Sequence, residues 1–148
     1  NDECLIVDPA WEGERLVEHI RTAHPEVRVL GSVCTHGHAD HVGGVAGVRA
    51  VVGDSALYEL CAKDVTVPRA NIIVLFAATE QGNIAFVGDT LFPGSHGRTD
   101  LSGGDEAAIM RSLSKLAKML PPDTVCLTGH GDSTTMAREL MQNPFMQM

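Results

Sequence analysis

The stretch Thr35-His36-Gly37-His38-Ala39-Asp40-His41 puts three imidazoles and a carboxylate on one short loop, where all of them can be aimed at a single point. Imidazole nitrogen and carboxylate oxygen are ligands suited to zinc, iron and manganese. Gathering ligands this close in sequence costs little loop-closure entropy. An isolated His-x-His beside glycine is weak information, because such histidines often sit on exposed loops, so the flanking sequence matters. Val27, Val29, Leu30, Val33 and Cys34 form an apolar, β-branched run that reads as a buried strand, and Val42-Gly43-Gly44-Val45 follows the ligands. The loop therefore falls at a strand's end, where sites usually lie.

Composition bounds the rest. The chain has 148 residues, 44% of them hydrophobic, enough for one real core, and a single domain over 1–148 is the expectation. A net charge of −8 offers no basic footprint for phosphates, which argues against nucleic acid and anionic membranes as partners. No apolar run approaches a membrane span and no secretory pattern is present. A soluble, cytoplasmic protein is expected, or a mitochondrial one if an N-terminal segment is missing. The chain opens on Asn1, directly ahead of a strand-like run, so residues upstream are expected to be absent from it. Cys4, Cys34, Cys61 and Cys126 lack Cys-x-x-Cys spacing and read as buried thiols of a reducing compartment rather than disulfides or metal ligands.

Along the chain, Cys4 to Val7 reads as a strand ended by Asp8-Pro9. A helix follows from Glu12 to His24, with Leu16, Ile20 and Ala23 on one face and Pro25 closing it. After the histidine loop, a short strand is expected at Ala50 to Val52, then a helix from Asp54 or Ser55 carrying Leu57 and Leu60. Residues 63–71 read as a connection. Ile72 to Ala77 and Ile84 to Val87 flank a Glu80-Gln81-Gly82-Asn83 turn and read as a hairpin delivering Gly88-Asp89-Thr90. A glycine-rich loop from Pro93 to Gly104 precedes a helix from Asp105, with Ile109, Leu113, Leu116 and Leu120 at helical spacing and Pro121-Pro122 as its stop. Thr124 to Thr128 is a strand ending in Gly129-His130-Gly131, and a last helix runs from Thr134 to Gln142. Helices and strands are mixed throughout, so the class is α/β or α+β.

Asp89 and His130 each stand directly after an apolar run and beside glycine, the context of the histidine loop repeated. Alone, an Asp after a strand is more often a turn residue. Three strand ends offering metal-type side chains in one small domain change that balance.

With these residues placed, the chain resembles a known family. Thr35 to Gly44 matches the T-H-x-H-x-D-H-x-G-G motif of the metallo-β-lactamase-fold hydrolases. Gly88-Asp89-Thr90-Leu91-Phe92, Gly97-Arg98-Thr99-Asp100-Leu101, Gly129-His130-Gly131 and Asn143-Pro144-Phe145 look like the glyoxalase II branch, the hydroxyacylglutathione hydrolases. The resemblance implies an αββα sandwich, here truncated, with a dinuclear centre at one edge. It implies His36 and His38 as ligands of a first metal, Asp40, His41 and His130 as ligands of a second, and Asp89 as the bridge. Two divalent ions are implied, zinc first, with iron or manganese as alternatives. The implied reaction is hydrolysis of a small-molecule thioester such as S-lactoylglutathione by a metal-bound hydroxide, with Asp40 orienting the hydroxide and a thiolate leaving.

The sequence departs from the family pattern at one point that bears on the site. The pattern carries a further histidine between the first motif and the G-D-T-L-F strand, and no histidine stands between Val42 and Gly88 here. Several dozen family residues are expected to be missing in that interval, as are the opening strands. The first metal keeps only His36, His38 and Asp89, which leaves under-occupancy as the expectation for it. His96 reads as an exposed loop histidine, with a substitute ligand as the alternative; Arg98 reads equally as an ion-pair partner of Asp100 or a substrate contact. Two other functions stay open: an iron-dependent persulfide dioxygenase, and a non-catalytic fragment or splice product with an incomplete metal site. Oligomeric state is not legible.

Overall fold

The computed structural model describes residues 2–53, 74–101 and 104–147. The chain divides into two compact units, Asn1–Val67 and Pro68–Met148.

The first unit is built on two parallel strands, β1 (Glu3–Val7) and β2 (Arg28–Val33), paired from Glu3 opposite Arg28 to Val7 opposite Val33 with a one-residue register shift between Cys4 and Leu5. Parallel neighbours need a crossover. Here it is the helix α1 (Gly13–Ala23), closed by the His24 N–H bonding to the Ile20 carbonyl just before Pro25. The buried side of α1 is Gly13, Val17 and Ile20 rather than the expected Leu16, Ile20 and Ala23; Leu16 is partly exposed. Gly13 causes the rotation. A Cβ there would lie 1.9 Å from the Gly44 carbonyl oxygen, so only glycine lets α1 approach the end of the histidine motif this closely.

Two helices follow β2: the single turn α2 (Ala39–Val42) and α3 (Val45–Val52). Ala50 to Val52, expected as a strand, is the last turn of α3. The β-branched composition misled, because Val48, Val51 and Val52 sit at helical spacing and pack with Val17 and Val29 into one core. The expected helix from residue 54 and the connection at 63–71 lie outside the described residues, as does Cys61.

The second unit carries a sheet in the order β3-β4-β7-β8. The strands β3 (Leu75–Thr79) and β4 (Gly82–Gly88) form the expected hairpin, with Glu80-Gln81 as its turn; Ile72 and Ile73 lie outside the described residues. The glycine-rich loop contains a second, small hairpin, β5 (Leu91–Phe92) and β6 (Ser95–His96). The helix α4 (Glu106–Met119) starts as expected: the Asp105 side chain accepts the Ala108 N–H at 3.0 Å. It leads into β7 (Val125–Thr128), which lies parallel to β4, then to β8 (Thr134–Thr135) and α5 (Met136–Gln142).

Ala85, Val87, Leu91, Leu113, Cys126 and Met136, all with no exposed surface, hold this unit together. Each large side chain among them stabilises by roughly 1.5–3 kcal/mol. Cys34 and Cys126 are buried thiols, as expected, while the Cys4 thiol is half-buried; burial together with the Glu139 charge pushes the Cys126 thiol up to about 11. Among the described residues no helix is long and apolar enough to cross a membrane.

Candidate metal centre

Both units place ligand-type side chains by the same rule. Parallel strands end at the same edge, so residues just past neighbouring strands meet there without long side chains reaching for one another.

In the first unit, Asp8 follows β1 and Thr35-His36 follows β2. The Asp8 Oδ1 accepts the Thr35 N–H at 2.6 Å, and its Oδ2 accepts the Thr35 hydroxyl at 2.7 Å and the His41 Nδ1–H at 2.9 Å. The Thr35 hydroxyl, its proton committed to Asp8, stands 3.1 Å from His36 Nδ1 and must accept from it. Both rings are thereby assigned the tautomer that carries its lone pair on Nε2, the form in which histidines bind metals with the other nitrogen held by a carboxylate or its relay. Asp8 reaches this position through a left-handed backbone, φ 50°, and the turn is pinned by the Gly44 N–H bonding to the Pro9 carbonyl at 2.6 Å.

His36 and His41 are buried, His38 is half-buried and Asp40 is exposed. The His36 ring centre lies 4.7 Å from that of His38, edge-on, and 4.0 Å from that of His41. Asp40 and His41 share the one turn of α2, and Asp40 Oδ2 is 4.0 Å from His41 Nε2. The Cys34 thiol, just before the motif, donates weakly to the His41 carbonyl.

In the second unit, Asp89 follows β4 and His130 follows β7. The ladder between these parallel strands extends one step past their ends, where the Gly129 N–H bonds to the Gly88 carbonyl at 3.0 Å. This brings Asp89 Oδ1 to 3.8 Å from His130 Nε2. The His130 ring lies nearly parallel to that of Phe92, centre to centre 6.5 Å.

The donor set fits a divalent transition metal. Two ligand atoms on one tetrahedral zinc stand about 3.3–3.4 Å apart. The Asp40–His41 and Asp89–His130 pairs, at 4.0 and 3.8 Å, are too long for hydrogen bonds and roughly half an ångström longer than that spacing.

Three other expectations are resolved. His96 is not an exposed loop residue: it lies in β6, its Nδ1 bonded to the Gly97 carbonyl at 2.8 Å and its ring edge-on to Phe145 at 4.3 Å. Its Nε2 faces Glu106 Oε1 at 3.5 Å, so both ring nitrogens face local groups of the second unit. Arg98 makes the two-pronged ion pair with Asp100, at 2.9 and 2.8 Å; the hydrogen bonds raise the guanidinium pKa and lower that of the carboxyl. His19 and His24 are exposed, as expected. Asp8 is the residue the sequence reading passed over. Its signal was available: a carboxylate directly after an apolar strand, the position that singled out Asp89.

Comparison with known proteins agrees with this architecture. The family model of the metallo-beta-lactamase superfamily matches residues 1–59 and 74–130. The probable metallo-hydrolase YqgX of Bacillus subtilis is 27% identical over 188 residues, covering 99% of this chain and 88% of that protein. The hydroxyacylglutathione hydrolase GloC of Haemophilus influenzae is 28% identical over 186 residues, covering 97% and 87%. Both alignments are longer than the chain itself, which accords with the internal segment expected to be missing. Among solved structures, TTHA1623 in a di-iron-bound form superposes with a TM-score of 0.68 at 28% identity, covering 94% of this chain and 87% of that one. The chain belongs to the metallo-beta-lactamase superfamily.

Proposed function

We propose that this chain is a metal-dependent hydrolase of small-molecule thioesters, with His36, His38, Asp40, His41, Asp89 and His130 holding two divalent cations. The observation that carries this reading is the relay from Asp8 and Thr35 to the Nδ1 atoms of His41 and His36, which supports Nε2 of each ring as the ligand atom. The thioester class comes from the likeness to a hydroxyacylglutathione hydrolase. Zinc is the first choice of metal, and the likeness to a di-iron-bound structure keeps iron in view.

When bound, such cations supply a water that ionises near neutral pH and a Lewis acid for the thioester carbonyl. The residues of the chain do the rest. Asp40, exposed on the first turn of α2 beside His41, would orient the attacking hydroxide as well as help to hold a cation. The water oxygen bonds to the acyl carbon as the carbon–sulfur bond breaks. The sulfur departs as a thiolate, whose conjugate acid has a pKa of about 8.5, so no side chain has to protonate it. Asp89 would supply anionic charge to offset the repulsion of two cations held nearby. With no histidine between Val42 and Gly88 to complete it, the site of His36 and His38 is the weaker of the two.

Metal analysis by mass spectrometry, paired with an S-lactoylglutathione hydrolysis assay, tests the reading. Bound metal with turnover supports it. Iron with oxygen uptake on a persulfide would replace it with the dioxygenase reading, and absence of both metal and turnover with the non-catalytic one. Full metal content in His36→Ala would remove the site assignment.

A further inference from the structure

The motif Asn143-Pro144-Phe145 and the buried Glu139 have no part in the chemistry above, yet they converge on one turn. We infer that the C-terminal segment from Glu139 to Phe145 positions Asp89 for metal binding, acting through the four consecutive residues Gly94 to Gly97; this rests on the proposed role of Asp89 as a ligand.

Each of the four is gripped in turn. The Glu139 Oε2 accepts the Gly94 N–H at 2.8 Å. The Asn143 amide donates to the Ser95 carbonyl at 2.9 Å and to Glu139 Oε2 at 3.0 Å. Phe145 packs edge-on against His96, and its own N–H bonds to Asn143 Oδ1 at 3.0 Å. His96 passes the constraint on by donating from Nδ1 to the Gly97 carbonyl. Gly97 rests on Asp89: a Cβ there would lie 1.9 Å from the Asp89 carbonyl oxygen. The other side of Asp89 is fixed by Gly88, whose carbonyl takes the Gly129 N–H. The main chain of Asp89 is thus clamped between the sheet and the turn, which limits where its carboxylate can point.

The choice of residues supports a positioning role over plain packing. Glu139 and Asn143 have no exposed surface, and a buried carboxylate is costly unless its hydrogen bonds are met. Glu139 meets them with the Thr134 hydroxyl at 2.5 Å, the Asn143 amide and the backbone of Gly94. An apolar side chain would join a helix to a hairpin without that penalty. A directional carboxylate and amide instead set the register and height of one particular turn.

Cobalt titration of the 148-residue chain tests this, read by visible absorption and chelator competition, with far-UV circular dichroism as the folding check. Asn143→Ala and Glu139→Ala are expected to weaken cobalt binding at least tenfold, the effect typical of residues that orient ligands. Glu139→Gln is expected to restore it, because the amide oxygen still accepts from Gly94 and Asn143 while its N–H donates to Thr134. Leu113→Ala loosens the same core away from the turn and is expected to keep wild-type affinity. Where Glu139→Ala does not fold, Phe145→Leu reads the same link, and a shifted cobalt spectrum is expected. Binding within twofold of wild type in the folded alanine variants, an unshifted spectrum and unchanged affinity in Phe145→Leu, or equal loss in Leu113→Ala overturns the inference. Asp89→Ala separates the two levels: if it too binds normally, the ligand assignment has failed; if it alone loses binding, only the positioning role has.

Discussion

Asp8 Oδ2 and His41 Nδ1 meet at 2.9 Å, joining the residue that ends β1 to the helix turn after β2. The contact couples the outer edge of the histidine motif to the strand that precedes it by a whole crossover.

Removing that carboxylate should separate metal affinity from folding. In Asp8→Asn the side chain still accepts from Thr35 but turns an N–H toward His41, opposing the tautomer that binds metal. We expect metal affinity to fall by about 10–100-fold, measured by chelator competition, with the circular dichroism spectrum retained. Asp8→Ala also strands the Thr35 N–H and hydroxyl, and should cost about 1–3 kcal/mol in denaturant unfolding.

Metal removal should lower stability reversibly. A cation that binds only the folded chain adds stability by mass action, about 2.7 kcal/mol at a hundredfold excess over Kd. The melting temperature should drop on chelation and return on adding zinc. In His36→Ala the return should be smaller.

Gly13→Ala tests the close approach of α1 to the histidine motif. The added methyl would stand 1.9 Å from the Gly44 carbonyl oxygen, main chain that cannot move aside as a side chain would. Overpacking of this kind costs about 1–3 kcal/mol or more. The melting temperature should fall, and the metal affinity of the histidine loop should fall with it.

Cys126 gives a pH dependence of known sign. Its folded-state pKa is raised from the usual 9.0 to about 11, so the folded protein favours the neutral thiol more than the unfolded chain does. The stability this confers is complete below pH 9 and is lost as pH rises through 11, by up to about 1.4 kcal/mol per pH unit in that window. Unfolding curves of Cys126→Ala should decline less over this range than those of the wild type. At pH 8 the native thiol should resist iodoacetamide until denaturant is added.

Most of the strands, and the metal-type side chains at their ends, could be read from sequence because each rests on local signals. The run Val29 to Val33 ends where the ligands begin, and Asp105 caps its helix through its own side chain. Errors arose where distant backbone decided the outcome. The valines of α3 carry strand propensity, and it is packing on Val17 and Val29 that makes them a helix. The buried face of α1 turned because Gly13 meets Gly44, a contact no hydrophobic periodicity encodes. Asp8 was passed over because its role exists only once β1 and β2 are side by side, and His96 because its partner Phe145 lies at the far end of the chain.

The pairing of β1 with β2, and of β4 with β7, has a consequence for how the chain tolerates change. Each pair is knitted within its own unit and closes with its own helix, so the order of the Asp8–Thr35–His41 relay and of the Asp89–His130 pair is stored locally. A substitution that loosens β1 against β2 should therefore register first in the Asp8–Thr35–His41 relay, and one that loosens β4 against β7 in the Asp89–His130 pair, so each strand-end cluster reports on the integrity of its own unit.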